Sequence, residues 1–496
     1  MTRWPLLCAA LLPLLGGRVP GAPAASLAPA DSLPSCREDL DSLQQRLERS
    51  YAGFALEVKG ARLASYDRQT AALRLRADTT SGDACFFVLK AYTRWFDDPH
   101  LFLFQSGGID TAEARRRASQ VEHTGWTDAS AREYFEKEGD RLDPLEGIWY
   151  EGPLRMAVIR EPARAGRQFV AVVLVSDTAA WRPGDVRARF TGRGGNRYDA
   201  TVHYRNFATR RLDATVHKRR LLRLSPGIWG KDHPIHPADS LLLHPGDAHR
   251  PTLQVRGRTV VVSIPSHDPT WARAFDTLIT SHAADLRAAE RLIVDLRGNE
   301  GGSSWMTNPL LPYIATARKR PTPFDGGTAV MLSAPDQVAY LKRGAFGSDT
   351  AKFVRSLIAR MEAKPGELVP IEDPAEPAAP EPADSVIMGP ARVGVLIDHG
   401  TVSAAEVLVL EALRSERTAV FGENTAGALD YQSTQVVRFH PRETRWALGY
   451  PTIAASAELP KRGMRGKGIA PHVRVDWTKV DDPIGYVEQR LQRSAR

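Results

Sequence analysis

The chain has 496 residues, of which 43% are apolar and 25% are charged. These proportions exclude a disordered or fibrous protein, and the length predicts two or three globular domains. The formal net charge of +8 raises the question of nucleic-acid binding. However, only one aromatic residue, Phe207, lies among the arginines between Arg205 and Arg223, and the stretch matches no nucleic-acid motif. We interpret them as a solvated basic face and expect no nucleic-acid partner.

Residues 1–24 predict a cleaved signal peptide. Arg3 precedes an apolar stretch, Trp4–Gly17, and Ala22–Ala24 supplies small residues at the usual cleavage spacing. The stretch is too short for a comfortable membrane span, and no later segment is long and apolar enough for one. We therefore expect a periplasmic or secreted protein whose mature chain has no membrane span.

The next region, 36–140, predicts a small helical module. Leucines at helical spacing follow Cys36, and apolar residues with the same spacing surround Cys85. An even pair of cysteines in an exported protein predicts a disulfide. Two buried free thiols are the alternative, since the sequence fixes no geometry.

Residues 143–228 predict a β-rich domain, because short runs of β-forming residues alternate there with glycine- and proline-containing turns. A small barrel or a sandwich fits this pattern. Between Asp232 and His249 lie four histidines and three aspartates, so a metal site has to be considered. Their spacing matches no ligand framework, and we expect a polar linker and no metal or other cofactor.

The third domain is predicted at 251–480. Inside it, residues 364–384 contain six prolines and six acidic residues, which is typical of a flexible surface insertion. Two other segments, Arg291–Ser304 and Val393–Leu413, each begin as a run typical of a strand buried on both faces. Each run then breaks into small and polar residues. The sequence therefore predicts two strand-to-turn units in one α/β domain.

These two turns contain the parts of a nucleophile and its oxyanion hole. Gly301 and Gly302 allow a ligand to approach the backbone closely, and Ser403 stands at the first turn of a helix. Each feature also has a structural interpretation. Ser403 and Glu406 fit a capping box, and a glycine pair is usually a turn.

The motifs resemble peptidase family S41, the tail-specific or C-terminal processing serine peptidases. The resemblance covers about 251–478. It rests on four segments in the family's order: Leu292–Gly302, Val402–Leu413, Val420–Gly427 and Gly466–Val475. It implies a crotonase-like core of ββα repeats, so that the whole chain is a multi-domain α+β protein.

The resemblance also implies roles for individual residues. Ser403 is the expected nucleophile, and the amides of Ala404 and of Gly301 or Gly302 would hold the oxyanion. Ala428 stands where the processing-peptidase branch has its lysine base. An alanine cannot accept a proton, so a Ser–Lys pair at that place is excluded.

The tricorn-type branch of the family takes its base from an N-terminal histidine instead. Trp95–Phe104 resembles that element and nominates His100 as the base. A histidine at a helix end with only a structural role is the alternative. Pro99 replaces the serine of the tricorn-type tetrad, and Arg465 stands near the expected position of the orienting acid. Glu458, Asp97 and Asp98 are the available replacements.

The sequence thus predicts an exported serine endopeptidase of the S41 type, which cleaves a peptide or protein substrate through an acyl-enzyme. A non-catalytic protein that binds a ligand or peptide on the same fold is one alternative, and an esterase is another. No feature of the sequence fixes the oligomeric state.

Overall fold

A computed structural model gives the fold of the chain. It describes the following residues: 33–105, 116–151, 154–161, 166–176, 181–204, 207, 209–217, 219–224, 228–235, 249–316, 320–322, 325, 327–344, 348–373, 389–443 and 445–493. The predicted signal peptide and most of the histidine-rich segment lie outside this part of the chain. None of the described helices is long and apolar enough to cross a membrane.

The helices occur in three regions of the sequence. Those before the β-rich region are α1 Cys36–Ser50, α2 Ala52–Glu57, α3 Ala61–Asp78, α4 Cys85–Arg94 and α5 Asp128–Glu138. Those that follow it, up to residue 362, are α6 Ala272–Ser281, α7 Ala283–Ala288, α8 Leu311–Ile314, α9 Pro335–Arg343 and α10 Ser348–Glu362. The last two are α11 Ala404–Leu413 and α12 Pro483–Arg493.

Strands occur before, within and after the β-rich region. A first strand, β1, is Phe102–Gln105. The β-rich region contains β2 Gly147–Glu151, β3 Leu154–Arg160, β4 Gln168–Val175, β5 Val186–Gly194, β6 Arg197–His203, β7 Thr209–His217, β8 Leu221–Leu224 and β9 Ile228–His233. The remainder are β10 Thr252–Arg256, β11 Thr259–Ser263, β12 Arg291–Asp295, β13 Val330–Leu332, β14 Leu368–Pro370, β15 Arg392–Ile397, β16 Thr418–Gly422, β17 Tyr431–Val437, β18 Trp446–Ala454 and β19 Val473–Arg474.

The N-terminal helices pack around apolar residues at helical spacing, as predicted. Leu40, Leu43 and Leu47 of α1 are fully buried, so this helix presents one apolar face to its neighbours. The predicted disulfide is confirmed: Cys36 and Cys85 are bonded, with their Cα atoms 5.4 Å apart. It joins the start of α1 to the start of α4.

We expect reduction of this disulfide to destabilise the helical region. The bond closes a loop with a sequence separation of 49, and closing a loop of this length is worth about 3–4 kcal/mol in the chain-entropy model. Chemical denaturation with and without reductant measures the effect, and a Cys36→Ser/Cys85→Ser variant serves as the control that reductant should not change. Equal unfolding midpoints for the oxidised and reduced protein would contradict this expectation.

The β-rich region is a closed barrel and not a sandwich, which was the other architecture that fitted its sequence. Strands β2 to β9 pair in sequence, and β9 returns to β2 to close it. Large side chains fill its interior, among them Trp149, Trp229, Phe169 and Tyr198, so the barrel is a packed core. Arg223 of β8 pairs with Glu300 in the glycine-containing turn. The barrel therefore touches the candidate site.

The C-terminal region contains a six-stranded sheet in the order β10-β11-β12-β15-β16-β19. Strands β11, β12, β15, β16 and β19 run parallel to one another. β12 and β15 are rich in Val, Ile and Leu and are buried along almost their whole length, as the sequence predicts. Because β12 and β15 are parallel neighbours, their carboxyl ends lie at one edge. The glycine turn and Ser403 follow those two ends, and this is where open parallel sheets usually place their sites.

The N-terminal helical region is joined to the C-terminal region by strand pairing and by a shared apolar core. Strand β1 pairs antiparallel with β18, with Phe102 opposite Gly449. The helices also share one apolar core with C-terminal residues such as Val330, Trp446 and Tyr450. The segment that contains His100 is therefore built into the C-terminal region. Local periodicity cannot reveal such a pairing, since its partners lie more than three hundred positions apart in the sequence.

The predicted insertion at 364–384 also needs correction at its start. Residues 368–370 form β14, which pairs with β13, and Val369 and Ile371 are buried. These two apolar side chains pack into a hydrophobic core. The high proline and acidic content of the segment as a whole gives no indication of this packing. Residues 374–384 lie outside the described part of the chain.

Candidate active site

Ser403 lies between β15 and α11 in an unusual backbone conformation. Its φ is 55° and its ψ is −116°, whereas an ordinary N-cap residue has extended dihedrals. Positive φ in a non-glycine residue costs free energy, of order 1–3 kcal/mol, and is concentrated at functional sites. Sharp strand-to-helix turns of this kind expose a nucleophilic serine in other hydrolases. A simple helix cap does not explain this conformation.

Glu406 supplies its half of the predicted capping box and does more. The carboxylate is fully buried and accepts hydrogen bonds from the backbone N–H groups of Ser403, Gly427 and Ala428 and from the Thr425 hydroxyl, at 2.6–2.9 Å. Burial raises its pKa, and these four donors act in the opposite direction. Glu406 thus holds the backbone of Ser403 and links the serine turn to Thr425–Ala428, the segment that follows β16.

His100 reaches Ser403 from the N-terminal part of the chain. It lies between α4 and β1, and the pairing of β1 with β18 holds this segment in place. Its Nε2 is 2.9 Å from Oγ of Ser403, across 303 positions of sequence. Both side chains keep part of their surface exposed. The structure therefore brings these two predicted residues within hydrogen-bonding distance and leaves them accessible.

Burial is the main influence on the His100 ring and lowers its pKa. The charge of Glu406 and the backbone carbonyls of Tyr431 and Ala428 act in the opposite direction. Nδ1 of His100 is buried and completes no hydrogen bond within the described residues. Both carbonyls therefore favour the protonated form of the ring, although neither completes a hydrogen bond to Nδ1.

None of the three predicted orienting acids touches the His100 ring within the described residues. Asp98 accepts from the backbone N–H of His100 at 2.9 Å and from the Tyr51 hydroxyl at 2.6 Å, and burial raises its pKa to about 7. Asp97 is exposed. Glu458 is largely exposed and pairs with Arg462. Asp98 therefore fixes the backbone of the His100 segment, and the other two lie apart.

Arg465, which stands near the expected place of the acid, faces a carboxylate from the N-terminal region. Its guanidinium donates to both oxygens of Glu57, at 2.7 and 2.9 Å, and to the carbonyl of Phe96. Glu57 also accepts from the Tyr431 hydroxyl at 2.6 Å. This cluster ties α2 and the segment before His100 to the C-terminal region.

The two glycines of the turn differ in what their amides do. The N–H of Gly301 donates to Oδ1 of Asn299 at 2.9 Å, so this amide is already occupied. Gly301 has a φ of 89°, and a Cβ there would lie 2.8 Å from Cβ of Ser403. Gly302 is exposed and has no hydrogen-bond partner for its N–H among the described residues. The turn backbone therefore abuts Ser403, with one amide available.

Two residues at this turn were missed by the sequence analysis. Asn299 and His267 are both fully buried, and they bond to each other at 3.1 Å. Asn299 lies within Leu292–Gly302, one of the segments that resemble family S41. Its position just before the glycines could therefore have nominated it from the sequence. His267 follows β11, and nothing in its local sequence marks it.

The site offers a hydroxyl beside an imidazole, with backbone N–H groups on the other side. Such a set can activate an alcohol as a nucleophile and stabilise a developing oxyanion. Within the part of the chain that the structure describes, no group of histidine, cysteine, aspartate or glutamate residues is arranged to hold a metal ion.

The comparisons with known proteins concern both sequence and fold. Solved structures similar to the chain include mature CPAF (13% identity, 93% of this chain and 96% of that one, TM-score 0.43). The photosystem II D1 C-terminal processing protease is similar at 14% identity, 90% and 95% coverage and a TM-score of 0.35. A lipoprotein from Streptococcus agalactiae is similar at 11% identity, 95% and 99% coverage and a TM-score of 0.36. No curated protein sequence matches the chain.

The sequence model of Peptidase family S41 matches residues 356–475. This stretch includes Ser403, Ala404 and the strands that flank α11, while His100 and the glycine turn lie outside it. By this match, residues 356–475 of the chain are similar to peptidase family S41.

Proposed function

We propose that the protein is an exported serine endopeptidase in which Ser403 and His100 act together. The observation that carries the proposal is the 2.9 Å contact between Ser403 Oγ and His100 Nε2, made at a strained strand-to-helix turn. His100 takes the hydroxyl proton as Oγ attacks a peptide carbonyl, and then gives it to the leaving amine. Water, activated by the same imidazole, releases the acyl group from Ser403.

Two backbone amides are suited to hold the oxyanion. The N–H of Ala404 belongs to the first turn of α11, where helical N–H groups have no intrahelical partner. The N–H of Gly302 is the available amide of the glycine turn, since that of Gly301 donates to Asn299. Removing one such donor typically lowers kcat by about a hundredfold or more. The proposal therefore assigns the pair to Ala404 and Gly302.

Among the described residues, no carboxylate bonds to the His100 ring in the way that usually orients a catalytic histidine. We assign this function to the carbonyls of Tyr431 and Ala428, since both raise the pKa of His100. Glu406 adds a negative charge that also favours the imidazolium. The methyl side chain of Ala428 cannot act as a base, and in this proposal the residue contributes through its backbone carbonyl instead.

The pH dependence of turnover follows from the shift of His100. Burial lowers its pKa below the ordinary value of 6.5, so the neutral base persists in more acidic solution. We expect the acid limb of kcat/KM to be centred below pH 6.5. The same shift makes the stability of the fold depend on pH. The unfolded chain binds this proton more readily than the folded protein does, so the folded state loses stability as the pH falls through that range. A pH–rate profile with its acid limb above pH 6.5 would contradict the assignment.

Hydrolysis of an unfolded protein substrate tests the proposed function. We expect internal peptide bonds to be cut by the wild-type protein and not by Ser403→Ala, with products identified by mass spectrometry. Cleavage confined to small activated esters would favour an esterase. Saturable peptide binding without any cleavage would favour a binding protein on the same fold.

Export is proposed on two features. The N-terminal pattern is typical of a signal peptide, and the Cys36–Cys85 disulfide is of a kind that persists in oxidising compartments. N-terminal sequencing of the mature protein should place its start near residue 25, and a retained initial segment would contradict export by cleavage.

A further inference from the structure

Asn299 bonds to three backbone groups and one histidine ring at the candidate site. Its side-chain Nδ2 donates to the carbonyl of Ile264 at 2.7 Å. Its Oδ1 accepts from the N–H of Gly301 at 2.9 Å and from the ring of His267 at 3.1 Å. Its own carbonyl accepts from the N–H of Val402, the residue before Ser403. One buried residue, through its side chain and its own carbonyl, therefore fixes the glycine turn relative to the serine turn.

His267 holds the same turn through its backbone. Its N–H donates to the carbonyl of Gly301 at 3.1 Å, and its carbonyl accepts from the N–H of Ser303 at 2.8 Å. These two bonds bracket Gly302. A Cβ at Gly302, whose φ is 134°, would lie only 2.2 Å from the His267 carbonyl oxygen. The orientation of the Gly302 amide is therefore set by His267 on both sides.

The protonation of His267 follows from its partner. Oδ1 of Asn299 can only accept, so Nδ1 of His267 carries the proton. Burial lowers the pKa of His267 to about 4, which leaves the ring neutral at neutral pH. Its Nε2 is buried and has no partner among the described residues. A fully buried neutral histidine with one orphaned nitrogen is costly to retain for packing alone.

We propose that His267 and Asn299 are positioning residues, which aim the N–H of Gly302 at the developing oxyanion of the Ser403 reaction. The inference rests on the proposed function. Neither residue touches the substrate. The His267 ring holds the Asn299 amide, and Asn299 holds the Gly301 amide and the residue before Ser403. Weakening the first bond lets the turn rotate, so the Gly302 donor is misdirected when charge develops on the carbonyl oxygen.

The test compares three substitutions of His267 in the full-length protein. His267→Leu removes the ring donor, His267→Gln places an amide near the Nε2 position, and His267→Asn places one near the Nδ1 position. We expect kcat to fall about 10–100-fold in the leucine and glutamine variants with KM unchanged, because a transition-state interaction is weakened. His267→Asn should recover kcat to within about threefold of the wild type, since it restores the donor.

A second readout separates positioning from general folding. A peptide aldehyde, whose adduct with Ser403 carries an oxyanion, should bind about tenfold or more weakly to His267→Leu than to wild type, while the cleaved product peptide binds equally to both. His282→Leu is the matched control, because His282 lies away from the site and bonds to the Leu278 carbonyl. It should leave both affinities and kcat unchanged.

The outcomes distinguish this inference from the proposed function. Wild-type protein that shows no Ser403-dependent turnover would overturn both. Wild-type turnover together with an unchanged kcat in folded His267→Leu and His267→Gln would overturn the positioning role alone. If His267→Leu fails to fold, the glutamine and asparagine pair decides, and equal kcat values for these two variants would overturn the inference.

Discussion

Replacing Ser403 by alanine is expected to lower kcat by about a thousandfold or more, since the nucleophile itself is lost. The free energy of unfolding should change by no more than about 1 kcal/mol, which is the usual value of a helix cap. The peptide-cleavage assay measures the first quantity and thermal unfolding the second. If Ser403 only capped α11, the same variant would lose about 1 kcal/mol and keep its activity.

His100→Ala should lose activity to a similar extent, because the base and the nucleophile act in one proton transfer. The Ser403→Ala/His100→Ala protein should then be scarcely worse than either single variant. Losses that multiply in the double variant would contradict a shared step. His440→Ala provides the matched control, since His440 is partly exposed and its ring accepts from the N–H of Arg442.

Among the single substitutions considered, Arg465→Met has the largest expected effect on stability. This change leaves the Glu57 carboxylate without its bidentate partner, and the Glu57 side chain is only 3% exposed. Breaking a buried ion pair from one side typically costs about 3–5 kcal/mol. Arg62, 3.4 Å from Glu57, remains as a weaker partner, so we expect about 3 kcal/mol. Denaturation followed by tryptophan fluorescence measures the loss.

Activity should fall in Arg465→Met as well, since Arg465 also donates to the Phe96 carbonyl, four residues before His100. The double variant Arg465→Met/Glu57→Gln should recover part of the stability, because the uncompensated charge is gone while the Tyr431 hydroxyl keeps an acceptor. Lys342→Met breaks an ion pair whose side chains are about half exposed and should cost less than about 1 kcal/mol. Equal losses in Arg465→Met and Lys342→Met would contradict a special role for Glu57.

The parts of the fold that could be predicted are those encoded locally. Leucine spacing predicted α1, runs of β-forming residues predicted the barrel strands, and the apolar runs before Gly301 and Ser403 predicted two buried strands. The Cys36–Cys85 pairing also needed only a count of cysteines in an exported chain. In each case the determining residues lie close together in sequence or are few in number.

The rest depends on contacts between distant residues. The pairing of β1 with β18 and the Arg465–Glu57 contact each join segments separated by hundreds of positions, and no local pattern encodes such contacts. His100 could be nominated only through the family resemblance. Which glycine amide is free was undecidable from sequence, because the answer depends on the Asn299 side chain. The chain offered three acids for His100, and none of them contacts its ring within the described residues, because Asp98 accepts from the backbone N–H and Glu458 pairs with Arg462.

The central claim is that Ser403 is a nucleophile activated by His100. The most direct measurement is reaction of the folded protein with a fluorophosphonate, followed by mapping of the adduct by mass spectrometry. The account predicts one adduct, on Ser403, which forms rapidly in the wild type and is nearly abolished in His100→Ala. A folded protein whose Ser403 stays unlabelled, or whose labelling rate is the same without His100, would contradict it.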